Sequence, residues 1–208
     1  LNMNKSFFII SIWIIKLIAL LISFLRLGQA SNLPGKVGLK LRKNILKEFK
    51  LNENCKVILI TGTNGKSTTA GMLTSILKVS GKKVISNAMG ANLQTGIITV
   101  LAKSSSLFGD IDCDFLVLEV DEATLPHVTS KLKVDVLAVT NFFRDQLDRF
   151  GELDTTVKLI EKGIENSPNA QIVLNADDTR AAFLNTQVTQ NKIYYGLNIK
   201  ETKSSNDL

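Results

Sequence analysis

The sequence predicts an α/β fold: a P-loop-containing parallel sheet in three αβα layers, preceded by an apolar N-terminal helix. Three observations predict it. The run Val57-Ile58-Leu59-Ile60 is apolar and mostly β-branched, as in a strand buried on both faces. It passes through a turn holding Gly62 and Gly65 into Lys66-Ser67-Thr68-Thr69. These open a helical pattern of Met72, Leu73, Ile76, Leu77 and Val79 that Gly81 closes. Further on, short apolar runs alternate with helical stretches as far as Tyr195, the alternation expected of parallel strands joined by crossovers.

Strand, glycine turn, lysine and hydroxyl at a helix N-terminus together make a phosphate cradle. Backbone N–H groups point inward, the helix end carries partial positive charge, and the Lys66 ammonium adds a full one. Ser67 is placed to set its hydroxyl on a Mg²⁺ that bridges phosphate oxygens. The commonest form of this motif wants a glycine where Ile60 stands, so Thr61-Gly62-Thr63-Asn64-Gly65-Lys66-Ser67 is a shorter variant.

The chain has 208 residues, enough for one sizeable α/β domain and an appendage. Its net charge of +6 is unevenly spread: residues 1–50 hold nine basic residues and one acid, Glu48, and the remainder has a net charge of −2. A basic excess beside an apolar run suggests a membrane surface and not a nucleic acid. Cys55 and Cys113 lie far apart with no Cys-x-x-Cys spacing, so the reading is a reduced pair outside any metal knuckle. The single histidine, His127, follows Pro126 in a loop and reads as an ordinary packing or surface residue.

From the N-terminus, residues 1–30 form the apolar helix, 31–55 a linker with a short basic helix, and 56–208 the main domain. Between Phe7 and Leu25 the only charge is Lys16. Ser11, Lys16, Ser23 and Arg26 share an arc of about 140° at 100° per residue. Three readings stay open: a spanning helix, a helix in the interface or packed on the domain with its polar stripe outward, and a cleaved signal peptide ending at Gly28-Gln29-Ala30. Ser31 to Gly38 is turn-rich, and Leu39 to Leu51 reads as a basic amphipathic helix. Strands are predicted at Lys83–Ser86, from Phe115, at Val134–Thr140, at Gln171–Leu174 and at Lys192–Tyr195, with a helix over Leu153–Asn166. The strand from Phe115 ends in Glu119-Val120-Asp121-Glu122. Glu119 there suits Mg²⁺, since ligands gather at strand carboxyl ends and a hard cation wants a carboxylate beside a hydroxyl such as Ser67.

The short P-loop resembles that of the Mur ligase family, ATP-dependent enzymes that join acids to amines, and the resemblance covers about Lys56 to Gly196. The stretch Asn141 to Glu152 has Asp145-Gln146-Leu147-Asp148 where the family usually runs Asp-His-Leu-Asp. With Leu118–Ala123, Gly90–Leu93, Asn175–Asp178 and Leu33-Pro34-Gly35, it is similar to the MurT-type branch, the ligase-like subunits of lipid II amidotransferases. The resemblance implies ATP and Mg²⁺ as cofactors. It implies that Gly62, Thr63, Asn64, Gly65, Lys66, Ser67, Thr68 and Asn141 bind the nucleotide, that Ser67 and Glu119 hold the metal, and that Lys66 and Glu119 are catalytic. It further implies amidation of the D-glutamate α-carboxylate of lipid II through an acyl phosphate, with ammonia from a GatD-like glutaminase partner and no nucleic acid. The implied setting is cytoplasmic, at the inner face of the plasma membrane.

Gln146 in place of histidine leaves a second metal unassigned. Lys158 and Lys162 lie off register from the carbamylated lysine of several family members and read as surface residues. Proteins of that branch also carry a four-cysteine Zn²⁺ ribbon and a C-terminal domain. The expectation is therefore that 56–208 is an incomplete central domain, which binds ATP–Mg²⁺ but amidates nothing alone. The alternatives are an amino-acid-adding Mur ligase, a folylpolyglutamate synthase-like ligase, or a non-catalytic nucleotide-binding module.

Overall fold

The computed structural model describes residues 3–25, 32–87, 91–142, 150–184 and 190–197. The chain runs through α1 (Met3–Phe24), α2 (Leu33–Leu41), a 3-10 turn at Ile45–Lys47 and β1 (Lys50–Leu51). Next come β2 (Lys56–Thr61), α3 (Lys66–Val79), β3 (Val84–Ser86), α4 (Gln94–Ser104), β4 (Asp110–Ile111) and β5 (Phe115–Glu119). Then follow α5 (Leu125–Thr129), β6 (Val136–Val139), α6 (Phe150–Glu165), β7 (Gln171–Asn175), α7 (Thr179–Phe183) and β8 (Lys192–Tyr195).

Among the described residues, six strands form one parallel sheet in the order β3-β5-β2-β6-β7-β8, and β1 pairs with β4 in a parallel ribbon. After β5 the chain crosses past β2 to reach β6, so strand order reverses at the centre. The carboxyl ends of β5, β2 and β6 therefore border the crevice where open α/β sheets bind ligands. The register sets Ile60 of β2 beside both Glu119 of β5 and Ala138 of β6, level with the start of the glycine turn. Side chains alternate across the sheet as strand geometry requires. Ile58, Ile60, Phe115 and Val117 pack with Ala70, Leu73 and Leu77 of α3 on one face. Val57, Leu59, Leu116 and Leu118 join side chains of α1, α4, α5 and α6 on the other. Of the apolar positions read in α3, Met72, Ile76 and Val79 are exposed instead.

The N-terminal helix packs on the domain, one of the readings open for it, but its polar stripe is not all outward: Ser11 is buried and Lys16 half-buried, whereas Ser23 is exposed. Phe8, Ile12 and Ile15 are core residues, and full burial of each isoleucine contributes roughly 1.5–3 kcal/mol. Lys16 Nζ donates to Ser105 O at 2.7 Å and Lys103 O at 3.4 Å, capping the carbonyl end of α4, where a cation also meets the negative end of the helix dipole. Burial lowers the Lys16 pKa. A helical wheel finds a polar stripe but cannot say which side is wet; here Ser11 and Lys16 lie on the docked side among apolar residues.

The linker and the basic helix are misplaced in the sequence reading. The helix is α2, at Leu33–Leu41, and the residues after it form the 3-10 turn and β1. Gly35 and Gly38 were read as turn formers but serve close packing. A Cβ at Gly35 would overlap the Thr95 carbonyl of α4, and one at Gly38 would crowd Ile15 of α1 at 2.7 Å. The Gly35 N–H, one of the free donors of a first helical turn, donates to Thr99 Oγ1 at 2.9 Å. Three more features escaped the sequence reading. These are α4, the β1–β4 ribbon and α5, which holds His127 on a helix and not in a loop.

Cys55 and Cys113, distant in sequence, meet with Sγ atoms 2.8 Å apart because β2 and β5 are neighbours. The pair is buried at the amino edge of the sheet, opposite the glycine turn. Lys158 and Lys162 stand exposed on α6, Lys162 paired with Glu165 at 2.9 Å. Arg26 and Gly28 to Ala30, Gly90, the stretch Asp145 to Arg149 with Gln146, and Glu201 to Leu208 lie outside the described residues.

Two glycine substitutions separate packing from propensity. Gly35→Ala is expected to destabilise the protein by about 1–3 kcal/mol through overpacking between α2 and α4. Gly71→Ala, in α3 with open space around it, should stabilise by about 0.5–1 kcal/mol. Urea denaturation of each variant reads both signs.

Candidate functional site

The turn between β2 and α3 is built by two glycines with different reasons for being glycine. Gly62 has φ +117°, and a Cβ there would strike Thr140 Oγ1 and the Asn141 backbone. Gly65 has φ +81° with no atom within 4 Å of where a Cβ would stand, so conformation alone demands glycine and the turn's mouth stays open. That opening sits at the N-terminus of α3, where N–H groups lack helical partners and the dipole favours an anion.

Asn141 holds this turn in shape. Its backbone carbonyl accepts from Thr63 N–H at 2.8 Å, its Oδ1 from Asn64 N–H at 3.0 Å, and its Nδ2 donates to Asn64 O at 3.0 Å. Thr140 Oγ1 adds a bond to Asn64 O at 2.7 Å. Both polar ends of the Asn141 amide thus bond the loop backbone and clasp it. Behind it, Asn175 Nδ2 and Tyr195 OH donate to Thr140 O at 2.9 and 3.3 Å. Asp178 accepts from Phe142 N–H at 2.8 Å while capping α7 through Ala181 N–H. Burial, with Asp178 and Asp177 nearby, raises the Tyr195 pKa. The polar cluster at the end of β7 therefore buttresses the clasp.

Ser67, exposed on the first turn of α3, donates through Oγ to Glu119 Oε2 at 2.8 Å. Glu119 is 2% exposed, and among the described residues its carboxylate meets neutral donors only: Ser67 and Asn92 Nδ2 at 3.3 Å. Its backbone is locked by buried Asn87, which donates to Glu119 O at 2.7 Å and accepts from Glu119 N–H at 2.8 Å. A buried carboxylate is costly without a countercharge. Paired with a hydroxyl beside an open phosphate cradle, it fits a hard divalent cation that draws its other ligands from phosphates and water. Thr68 is exposed on the same turn.

Lys66 Nζ donates to Gly62 O and, at 3.0 Å, to Thr63 O, and lies 3.5 Å from Glu122 Oε1. Both side chains of that ion pair are largely enclosed, 12% and 17% exposed. Sequence reasoning gave no role to Glu122, nor any to Asn87. The available signals were an acid three residues past a metal-suited one, and an amide directly after a strand at the carboxyl edge.

Residues 60–207 match the Mur ligase middle domain. The chain belongs to the Mur ligase middle-domain family. Across 154 residues, 73% of this chain, it is 43% identical to "Lipid II isoglutaminyl synthase (glutamine-hydrolyzing) subunit MurT" of Streptococcus pneumoniae (strain ATCC BAA-255 / R6). The chain spans 33% of that relative's length. Two solved structures share the fold of this Mur ligase domain. One is a MurF ligase from Thermotoga maritima in complex with ADP, 22% identical with a TM-score of 0.59, covering 80% of this chain and 37% of that one. The other is a bifunctional folylpolyglutamate synthase/dihydrofolate synthase with Mn, AMPPNP and L-glutamate bound, 17% identical with a TM-score of 0.52, covering 73% and 45%.

A phosphate approaching Lys66 would meet Glu122 as a competitor for the ammonium and as a like charge. Glu122→Gln is therefore expected to tighten ATP binding measured without divalent metal by about 2–5-fold, the equivalent of roughly 0.5–1 kcal/mol for such a pair. Calorimetric titration against the parent protein checks it.

Proposed function

We propose that this chain is the ATP-binding part of a lipid II isoglutaminyl synthase, an ATP-dependent carbon–nitrogen ligase. The substrate would be the D-glutamate α-carboxylate of the lipid-linked peptidoglycan stem peptide. The carboxylate oxygen attacks the γ-phosphorus of ATP and ADP leaves, giving an acyl phosphate; ammonia then displaces phosphate and leaves the carboxamide. A GatD-like glutaminase would supply the ammonia, and the work would take place in the cytoplasm at the inner face of the plasma membrane. The observation that carries the reading is the 43% identity to a MurT subunit over 154 residues. The complete P-loop and the Ser67–Glu119 pair within that stretch support it.

The residues have definite tasks in such a reaction. Lys66 and the backbone N–H groups from Thr63 to Ser67 would position the terminal phosphates and offset charge that builds on them in the transition state. Ser67 and Glu119 would hold the Mg²⁺, whose charge neutralises phosphate oxygens. Thr140 and Asn141 would keep the loop shaped before the nucleotide arrives, so that little of the binding energy is spent on ordering it. The divalent ion could equally be Mn²⁺ by ligand chemistry, since both take oxygen donors.

Lys66→Ala removes charge-assisted bonds of roughly 1.5–3 kcal/mol and is expected to weaken ATP binding about 10–150-fold by calorimetry. Equal affinity in parent and variant would refute the assigned site. With the glutaminase subunit and lipid II present, ADP release should depend on glutamine or ammonia; dependence on a free amino acid instead would replace this substrate with that of an amino-acid-adding ligase.

A further inference from the structure

α1 has two apolar faces, and the fold uses one. Phe7, Ile10, Leu17, Leu20, Leu21 and Phe24 are between 48% and 83% exposed. At 100° per residue they fall in an arc of about 140°, opposite the face that docks on α4. Trp13 sits on the same exposed face, 50% exposed, its ring N–H donating to Leu107 O at 3.0 Å. Leu107 and Phe108, exposed on the adjoining loop, extend the apolar surface. A continuous exposed patch of this kind marks an interaction site.

The charge of the neighbouring helix points to the occupant of the patch. α2 packs beside α1 and, with the turn after it, presents exposed Lys36, Lys40, Lys43 and Lys47. None of these four makes an ion pair among the described residues, and the one acid of the region, Glu48, is taken by Arg42 at 2.7 Å. Protein interfaces are depleted in lysine, whereas anionic lipid headgroups attract it, and a tryptophan beside such a stripe suits the bilayer–water boundary. A spanning orientation would pull Phe8, Ile12 and Ile15 out of the core, strip Lys16 from the Ser105 carbonyl and carry that charge into hydrocarbon. A helix lying flat keeps all of these contacts.

We propose that α1 lies in the plane of an anionic bilayer surface, with its outer face sunk among the acyl-chain ends and the lysines of α2 against lipid phosphates. The inference deepens the location given in the proposed function. Because its test uses neither ATP nor acceptor, its failure and the failure of the ligase reading are separately visible.

Trp13 is the only tryptophan in the chain and reports directly. The full chain is mixed with vesicles of phosphatidylcholine containing phosphatidylglycerol, or of phosphatidylcholine alone. The expected result is co-sedimentation stronger with the anionic lipid and weakened by salt, a blue shift of Trp13 emission, and quenching greater from labels near the headgroup than from labels at the chain ends. Leu17→Glu with Leu21→Glu should weaken co-sedimentation at least about tenfold. Lys36→Glu with Lys40→Glu should abolish the preference for anionic vesicles. Far-ultraviolet circular dichroism and urea denaturation of the variants show that the domain is intact. Three outcomes would overturn the proposal. Stronger quenching by the deep labels would mean a spanning helix, and no vesicle binding would mean no lipid surface. Self-association burying Trp13, with vesicles ignored, would mean that a second copy covers the face. The quenching of the parent protein decides depth even if the glutamate variants fail to fold.

Discussion

The carboxyl edge of the sheet depends on one close approach, that of the glycine turn to the end of β6. At Gly62 the backbone passes so near Thr140 and Asn141 that no side chain fits between them. The contact is possible because β2 and β6 are hydrogen-bonded neighbours, Thr61 level with Val139. Once made, it commits three groups of the turn in four bonds: Thr63 N–H, Asn64 N–H and, twice over, Asn64 O. Each such bond nets only about 0.5–1.5 kcal/mol. Their value lies in fixing the shape of the turn at the N-terminus of α3. The next strands add to it, because Asn175 and Tyr195 both bond Thr140 O. The loop is therefore shaped by side chains drawn from three strands.

Charge at the edge is arranged to be unfinished without a ligand. Glu119 is buried with only a hydroxyl and an amide on its oxygens, while Lys66, on the same helical turn as Ser67, leans on two loop carbonyls and on Glu122. An obvious saving would be a Lys66–Glu119 ion pair, and the fold does not make it. Asn87 fixes the backbone of Glu119 from beneath, and Glu122 draws Lys66 to the other side. The two charges stay apart, one suited to a cation and one to an anion. That separation is what a site for a metal-bound polyphosphate requires.

How much of this was legible depended on whether the signal was local. The six strands of the main sheet, the P-loop and α3 were readable because each rests on consecutive residues: an apolar run, a glycine spacing, a helical period. Ser67 and Glu119, read as a hydroxyl after Gly-Lys and an acid at a strand's end, meet at 2.8 Å. What failed was non-local. Gly35 and Gly38 look like turn residues until α4 and α1 are placed against them. Cys55 and Cys113 look unrelated until β2 and β5 pair. The stripe on α1 was found correctly, but its orientation hung on carbonyls at the end of α4, a helix that the apolar pattern had not shown. Asn141, expected at the nucleotide, has a second task in holding the loop that only its paired geometry with Asn64 reveals.

α4 ties the N-terminal helix to the chemistry. Its first turn follows Asn92, whose amide reaches Glu119, and its last carbonyl end, at Lys103 and Ser105, is capped by Lys16. Eleven residues of α-helix measure about 16 Å. The distance between the face of α1 and the metal-suited carboxylate is thus set by the length of one rigid element and not by a tether. With α1 against a lipid surface, as proposed, a rigid connection of this kind would hold the glycine turn at a constant height above the headgroups. The lipid-linked acceptor proposed above would be served by such a fixed height, because its reacting carboxylate would stand at a defined distance from its own anchor. A flexible anchor would leave that alignment to chance at every encounter, and an entropic cost would attend each turnover.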